Sequence, residues 1–186
     1  MPVLGVFMIT QTYSYYLPYE LQKRLLLIVI AGTYILPLLV SLALWKLGYI
    51  ESLLMKNARD RRAPFIMGGI FFYFTAQLMR GVEAIPLLYI FILAAATTIL
   101  IQLIFLRQTK ISAHSAGMSG LLSLSVVLAS RGDFVTPSFV AILVALWGLI
   151  GWARIELEAH SLQEVILGYL SGSLPLLVFL WMNSLI

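Results

Sequence analysis

The sequence predicts an all-α integral membrane protein, a polytopic bundle of six to seven transmembrane helices with its functional site at one membrane interface. Three observations indicate this class. The 186-residue chain is 61% hydrophobic and 11% charged, whereas soluble domains carry about 25% charged residues. Its mean hydropathy is +0.99. Its apolar runs approach the 20 residues that a membrane-spanning helix needs. The composition excludes a soluble enzyme and a nucleic-acid-binding domain, and the length predicts one domain over 1–186.

The charged residues give a formal net charge of +4. In a membrane protein most basic residues serve as topology signals or contact lipid headgroups. The chain contains no cysteine, so a disulfide and a thiolate metal site are both excluded. No Lys or Arg precedes Lys23, so the basic region of a secretory signal is missing and we expect the N-terminal segment to be retained.

Seven apolar runs are candidate transmembrane helices. The first is the weakest because Tyr13, Tyr15 and Tyr16 are typical of an interfacial belt, so we interpret it as a partial or tilted span. Short connections near 19–24, 81–84 and 132–136 predict antiparallel helical hairpins. In chain order the runs are 2–17, 24–47, 65–80, 85–106, 116–131, 136–153 and 165–185.

Three other connections, 51–64, 107–115 and 153–164, hold nearly all the unusual polar residues. Two crossings separate each of these loops from the next, so all three emerge on the same face of the membrane. This inference does not depend on whether the first run spans. It predicts one polar cluster of Lys56, Arg59, Arg61, Arg62, Lys110, His114, Arg154, Glu156, Glu158, His160 and Glu164.

The chain has two histidines, His114 and His160, and both lie in these loops. If the stretch after 153 is helical, Glu164 lies one turn beyond His160 on the same face. A carboxylate that accepts one ring N–H fixes the tautomer and leaves the other nitrogen free as a nucleophile or base. Arg154 either binds an anion through its guanidinium or pairs with Glu158 as a plain surface ion pair.

Two further groups of residues suit an anion. Lys110 and Ser112 stand just before a predicted helix that opens near His114, and backbone N–H groups at a helix start bind anions. The segment 56–62 carries four positive charges against one negative charge. Alone it is typical of a topology signal, but beside two histidines it predicts an electropositive pocket for phosphate.

These residues resemble, in order, three signatures of the type 2 phosphatidic acid phosphatases, a family related to the vanadium haloperoxidases. The third signature is matched best. In this chain five residues separate Arg154 from His160, and three separate His160 from Glu164. The family has Asp at the last position and Ser where this chain has Ala153. Ile-Ser-Ala-His at 111–114 resembles Pro-Ser-Gly-His. The resemblance covers about residues 50–186.

The first signature, a Lys followed by Arg-Pro, is matched more loosely. Lys56 is followed by Arg62-Ala63-Pro64, so Arg and Pro are not adjacent and Arg61 is an alternative to Arg62. The other departures replace Pro and Gly of the second signature by Ile111 and Ala113.

The resemblance implies hydrolysis of a lipid phosphate monoester or isoprenyl diphosphate through a phosphohistidine, without a metal or another cofactor. It implies that His160 attacks phosphorus, Glu164 holds its ring and His114 protonates the leaving group. The partners implied are the lipid phosphate and the bilayer. The two faces carry similar numbers of Lys and Arg, so the positive-inside rule gives almost no preference for either membrane orientation. The resemblance favours an extracytoplasmic site in a bacterial inner membrane. The expected phosphate-binding residues are Lys56, Arg62, Ser112, Arg154, Gly117 and Lys110.

Two alternatives stay open. Glu156, His160 and Glu164 recur every four residues and would project metal ligands from one helical face, as in a metal-dependent membrane enzyme. A non-catalytic binder or transporter of lipid phosphates would keep the pocket but lose turnover, with Glu164 in place of Asp as the disabling change. The sequence indicates neither the particular lipid phosphate nor the oligomeric state.

Overall fold

The chain folds into a helical bundle, as the sequence predicts. The computed structural model describes residues 1–53, 57–82, 85–132 and 135–185, and no strand occurs in these ranges. A π-helical turn, Ala31–Ile35, joins the helices Tyr19–Ile30 and Leu36–Lys46 into one continuous helix. The helices are α1 Pro2–Thr12, α2 Tyr19–Ile30, α3 Leu36–Lys46, α4 Ala58–Arg80, α5 Pro86–Phe105, α6 Ala113–Ser130, α7 Pro137–Glu156 and α8 Leu162–Met182.

Five helices in the described ranges are long and apolar enough to cross a membrane, fewer than the six to seven predicted. The 11 residues of α1, at 1.5 Å each, are too short for a hydrocarbon core of about 30 Å. α4 has the length, but the charges of its first turn and the polar residues near its end lower its hydropathy. The five are Tyr19–Lys46, Pro86–Phe105, Ala113–Ser130, Pro137–Glu156 and Leu162–Met182.

The core lies where α5, α6 and α8 meet, with α4 packed along α5. α7 buries Leu143 and Gly151 and exposes most of its apolar side chains, as expected of a helix that faces lipid. The phenol of Tyr169 on α8 donates to the carbonyl of Trp147 on α7 at 2.7 Å and its ring stacks on the indole. Fully buried side chains of the core include Leu88, Ile92, Leu121, Leu124, Leu128, Leu176 and Leu180.

Two glycines bring α6 and α8 into backbone contact. Gly168 and Gly172 are four residues apart and share one face of α8, the small-xxx-small spacing that lets membrane helices approach closely. A Cβ at Gly168 would lie 2.7 Å from the carbonyl oxygen of Ser112, and one at Gly172 would collide with the carbonyl of Ala116. This contact sets the first turns of α6 and α8 side by side.

We expect Gly172→Ala to lower the free energy of unfolding by about 1–3 kcal/mol, because the added methyl group forces the two backbones apart. Gly148→Ala on α7 is the matched control, since a Cβ there meets nothing within 4 Å and alanine favours the helix. Thermal unfolding of both variants in detergent micelles checks this. Equal stability of the two variants would contradict the close contact.

Candidate active site

The five residues between Arg154 and His160 form the turn that ends α7. The Arg154 carbonyl accepts the N–H groups of Ala159 and His160, both at 3.1 Å, and Glu158 N–H donates to the Ile155 carbonyl at 2.9 Å. This is the Schellman pattern of a helix C-terminus. Glu158 has a φ of +50°, the left-handed conformation that glycine normally takes. The turn folds the chain back so that His160 lies against the end of α7.

This turn also decides the role of the Arg154 side chain. Because the helix has ended, Glu158 does not lie one turn beyond Arg154, and these two described residues form no ion pair with each other. The interpretation of Arg154 as half of a surface ion pair is therefore wrong.

The start of α8 positions Glu164. Ser161 is the N-cap: its Oγ accepts the Glu164 N–H at 3.3 Å, and Oε2 of Glu164 accepts the Ser161 N–H at 3.0 Å, which is a capping box. The Nδ1 atom of His160, which precedes the cap, lies 3.2 Å from the same Oε2. The predicted pairing of His160 with Glu164 is confirmed, but not because both lie on one helical face. His160 precedes the helix, and the carboxylate of Glu164 reaches back to it from the first turn of α8.

The second oxygen of Glu164 holds the loop before α6 in place through a hydrogen bond. Its Oε1 accepts the backbone N–H of Lys110 at 3.0 Å, and its backbone carbonyl accepts the N–H of Ser112 at 3.1 Å. With two backbone N–H donors already on it, the carboxylate is an acceptor, so the ring proton of His160 belongs on Nδ1. The side chains of His160 and Glu164 are 5% and 19% exposed, so little water competes for these bonds.

Arg61 brings the remaining loop, 51–64, to the same place. The charge of Arg61, in the first turn of α4, acts on Glu164, His160 and His114, and that of Arg154 acts on His114 as well. Both arginines are half-buried, whereas His114 is exposed. The prediction that the three loops share one face is therefore confirmed for the described residues.

Arg62, the next residue of α4, differs from Arg61 in its exposure. Successive helical residues point about 100° apart, and with Arg61 turned towards Glu164 the Arg62 side chain is exposed. The electrostatic contact with Glu164 favours Arg61 over Arg62, and phosphate binding by either residue stays a prediction. The prediction for Lys56 falls outside the described residues.

The remaining expected phosphate ligands have structural contacts. Ser112 is fully buried and caps α6, with its Oγ accepting from the Ser115 hydroxyl at 2.9 Å and the Ser115 N–H at 3.4 Å. Gly117 is the fifth residue of α6, so its N–H belongs to the i→i−4 ladder of the helix. Lys110 contributes its backbone N–H to Glu164, and its side chain is half-buried near the cluster. Their binding of phosphate stays a prediction.

Burial lowers the pKa of the His160 imidazole below its ordinary value of 6.5. The hydrogen bond and the charge of Glu164 oppose this shift, Arg61 reinforces it, and the Lys110 backbone opposes it, with the net pKa still lowered. The ring is therefore mostly neutral at pH 7, and with its proton on Nδ1 the lone pair of the ring lies on Nε2.

Sequence reasoning missed the capping role of Ser161. The signal was present as Ser161-x-x-Glu164, the spacing of a capping box. Chemically, the site offers an oriented neutral imidazole, an exposed second imidazole and two guanidinium groups. This combination suits attack on a phosphorus centre whose oxygens need positive charge.

The fold and the site define an α-helical integral membrane protein with a histidine–carboxylate pair in a basic pocket. Comparisons of the chain with protein-family models, with curated proteins and with solved structures find no match.

We expect Glu158→Gly to raise the free energy of unfolding by up to about 1 kcal/mol, because glycine adopts the left-handed conformation without a Cβ clash. Glu156→Gly, two residues earlier in the regular helix, is expected to lower it by up to about 1 kcal/mol. Thermal unfolding of both variants measures the difference. An equal loss of stability in both would mean that Glu158 does not hold the left-handed turn.

Proposed function

We propose that this protein is an integral membrane phosphatase that hydrolyses a lipid phosphate monoester or an isoprenyl diphosphate through a phosphohistidine on His160. The observation that carries the proposal is the His160 Nδ1–Glu164 Oε2 contact of 3.2 Å within a cluster that includes Arg61 and Arg154. Phosphoryl transfer depends mainly on positioning and on fixed positive charge around the equatorial oxygens. The two guanidinium groups supply that charge.

In this mechanism Nε2 of His160 attacks phosphorus and forms the N–P bond as the bond to the leaving oxygen breaks. Burial lowers the pKa of His114, and the nearby positive charges, first that of Arg154, lower it further. The protonated form of His114 gives its proton to that oxygen, so an alcohol or a phosphate departs. Water then attacks phosphorus as the neutral His114 accepts its proton, the N–P bond breaks, and inorganic phosphate leaves with His160 neutral and His114 protonated again. Glu164 stays ionised throughout and stabilises the positive charge that develops on the imidazole ring.

The half-buried arginines and the exposed His114 support this division of labour. The charge of Arg61 acts on both histidines and that of Arg154 acts on His114, while the exposed His114 is itself close enough for its pKa to respond to His160. We further propose a bacterial inner membrane with the site on the extracytoplasmic face, on the strength of the family resemblance.

The metal-dependent alternative requires ligands that converge. Among the residues that the structure describes, no three His, Asp or Glu side chains form such a group. Glu156 ends α7 and Glu164 follows the N-cap of α8, so the three residues spaced four apart do not share one helical face. A chelator distinguishes the two hypotheses directly.

The test uses the purified full chain in phosphatidylcholine nanodiscs with phosphatidic acid, phosphatidylglycerol phosphate and an isoprenyl diphosphate as substrates. We expect phosphate release in the presence of EDTA, inhibition by vanadate, and an acid-labile label on the protein after quenching with ³²P-labelled substrate. His160→Asn is expected to lose the label and at least a thousandfold in kcat, since the covalent route is closed.

Arg61→Ala and Arg62→Ala form a matched pair within the same experiment. We expect Arg61→Ala to lower kcat/KM about a hundredfold or more and Arg62→Ala to change it only a few-fold. Full phosphate release by a folded His160→Asn protein, or loss of activity with EDTA and recovery with a divalent metal, would contradict the mechanism. Binding without hydrolysis across the panel would select the non-catalytic binder.

A further inference from the structure

An apolar cavity of about 330 Å³ lies inside the bundle next to the polar cluster. Its volume falls at the lower end of the range of small-molecule sites, about 300–1,000 Å³. Two of its lining residues adjoin the cluster: Ala113 precedes His114, and Pro64 lies one helical turn beyond Arg61. The cavity therefore begins where the proposed phosphate site ends.

The cavity extends from this end towards the middle of the bundle. Gln102 and Phe91 of α5 both line it, and the 11 positions between them correspond to about 16 Å along the helix. That length is about half of a hydrocarbon core of about 30 Å. Leu121 of α6 and Leu176 of α8 complete its inner wall.

The cavity stays open because glycines occupy wall positions from which a larger side chain would fill it. Gly68, Gly117, Gly120 and Gly172 all line the cavity, and a Cβ built at Gly68 meets nothing within 4 Å. Protein interiors are ordinarily close-packed, with few voids larger than a water molecule. An apolar pocket of this size is able to take an apolar ligand.

Gln102 places a polar side chain at the end of the cavity that lies near the phosphate site. The residue is 4% exposed and lines the cavity one turn before α5 ends. Its amide offers two N–H donors and one acceptor oxygen, so it suits a hydrogen bond to an oxygen at the head of a ligand.

We propose that this cavity binds one hydrocarbon chain of the phosphate-bearing ligand, with its phosphate at the polar cluster and its chain along α5 and α6. The identity of the head group rests on the proposed function. The binding of a chain rests on the cavity itself. A volume of about 330 Å³ suits one long alkyl or isoprenyl chain, so a second chain, in a ligand that has one, stays in the bilayer.

The first experiment compares Gly68→Leu, which fills the cavity, with Gly148→Leu on the exposed face of α7, where a Cβ also meets nothing within 4 Å. The readout in nanodiscs is the ratio of kcat/KM for dodecyl phosphate to that for ethyl phosphate. We expect the ratio to fall at least tenfold in Gly68→Leu and to stay at the wild-type value in Gly148→Leu. Unchanged ratios in both variants would overturn the proposal.

The second experiment does not need turnover and does not depend on the folding of a variant. Wild-type protein in nanodiscs is photolabelled with dodecyl phosphate that carries a diazirine at the chain end, and labelled peptides are mapped by mass spectrometry. We expect label near Phe91 or Leu121. Label confined to lipid-facing residues of α7 such as Ile142 would overturn chain binding even if phosphate is hydrolysed. Cavity label without hydrolysis of any substrate would support chain binding while contradicting the proposed function.

Discussion

The carboxylate of Glu164 is the interaction on which the rest of the site depends. It accepts the N–H of Ser161, the N–H of Lys110 and the Nδ1 side of His160, at 3.0 to 3.2 Å. One side chain therefore caps α8, fastens the loop before α6 and orients the imidazole. Such charge-assisted bonds are strong where water is largely excluded. The glycine contacts between α6 and α8 make this possible, because they hold the first turns of both helices within reach of one carboxylate.

The spacing of the third motif has a structural cause as well as a chemical one. The Schellman turn spans Arg154 to Ala159, and His160 is the next residue, with its N–H also on the Arg154 carbonyl. Three residues between His160 and Glu164 place the carboxylate at the third position of α8, where a capping box needs it. Helix ends thus set the spacing, and the catalytic arrangement that we propose uses the groups that these ends hold still.

The sequence predicts the fold class, the common face of the three loops and the pairing of His160 with Glu164, because apolar runs and crossing parity depend on local composition alone. It does not predict the span count, since α4 combines a transmembrane length with a charged first turn. Choosing between Arg61 and Arg62 needs the rotation of α4 about its axis, which only packing fixes. The capping role of Ser112 and the cavity likewise follow from contacts between helices that are distant in the sequence.

The central claim is that burial keeps the His160 ring neutral while Glu164 orients it, with the proton on Nδ1 and the lone pair on Nε2. The chain has only two histidines, so ¹⁵N NMR of histidine-labelled protein in nanodiscs, with His114→Gln to assign the signals, reports this state directly. The account predicts a neutral His160 ring at pH 7 that is protonated on Nδ1 and becomes charged only below pH 6.5, and a loss of the Nδ1 preference in Glu164→Gln. A ring protonated on Nε2, or charged at pH 7, would contradict it.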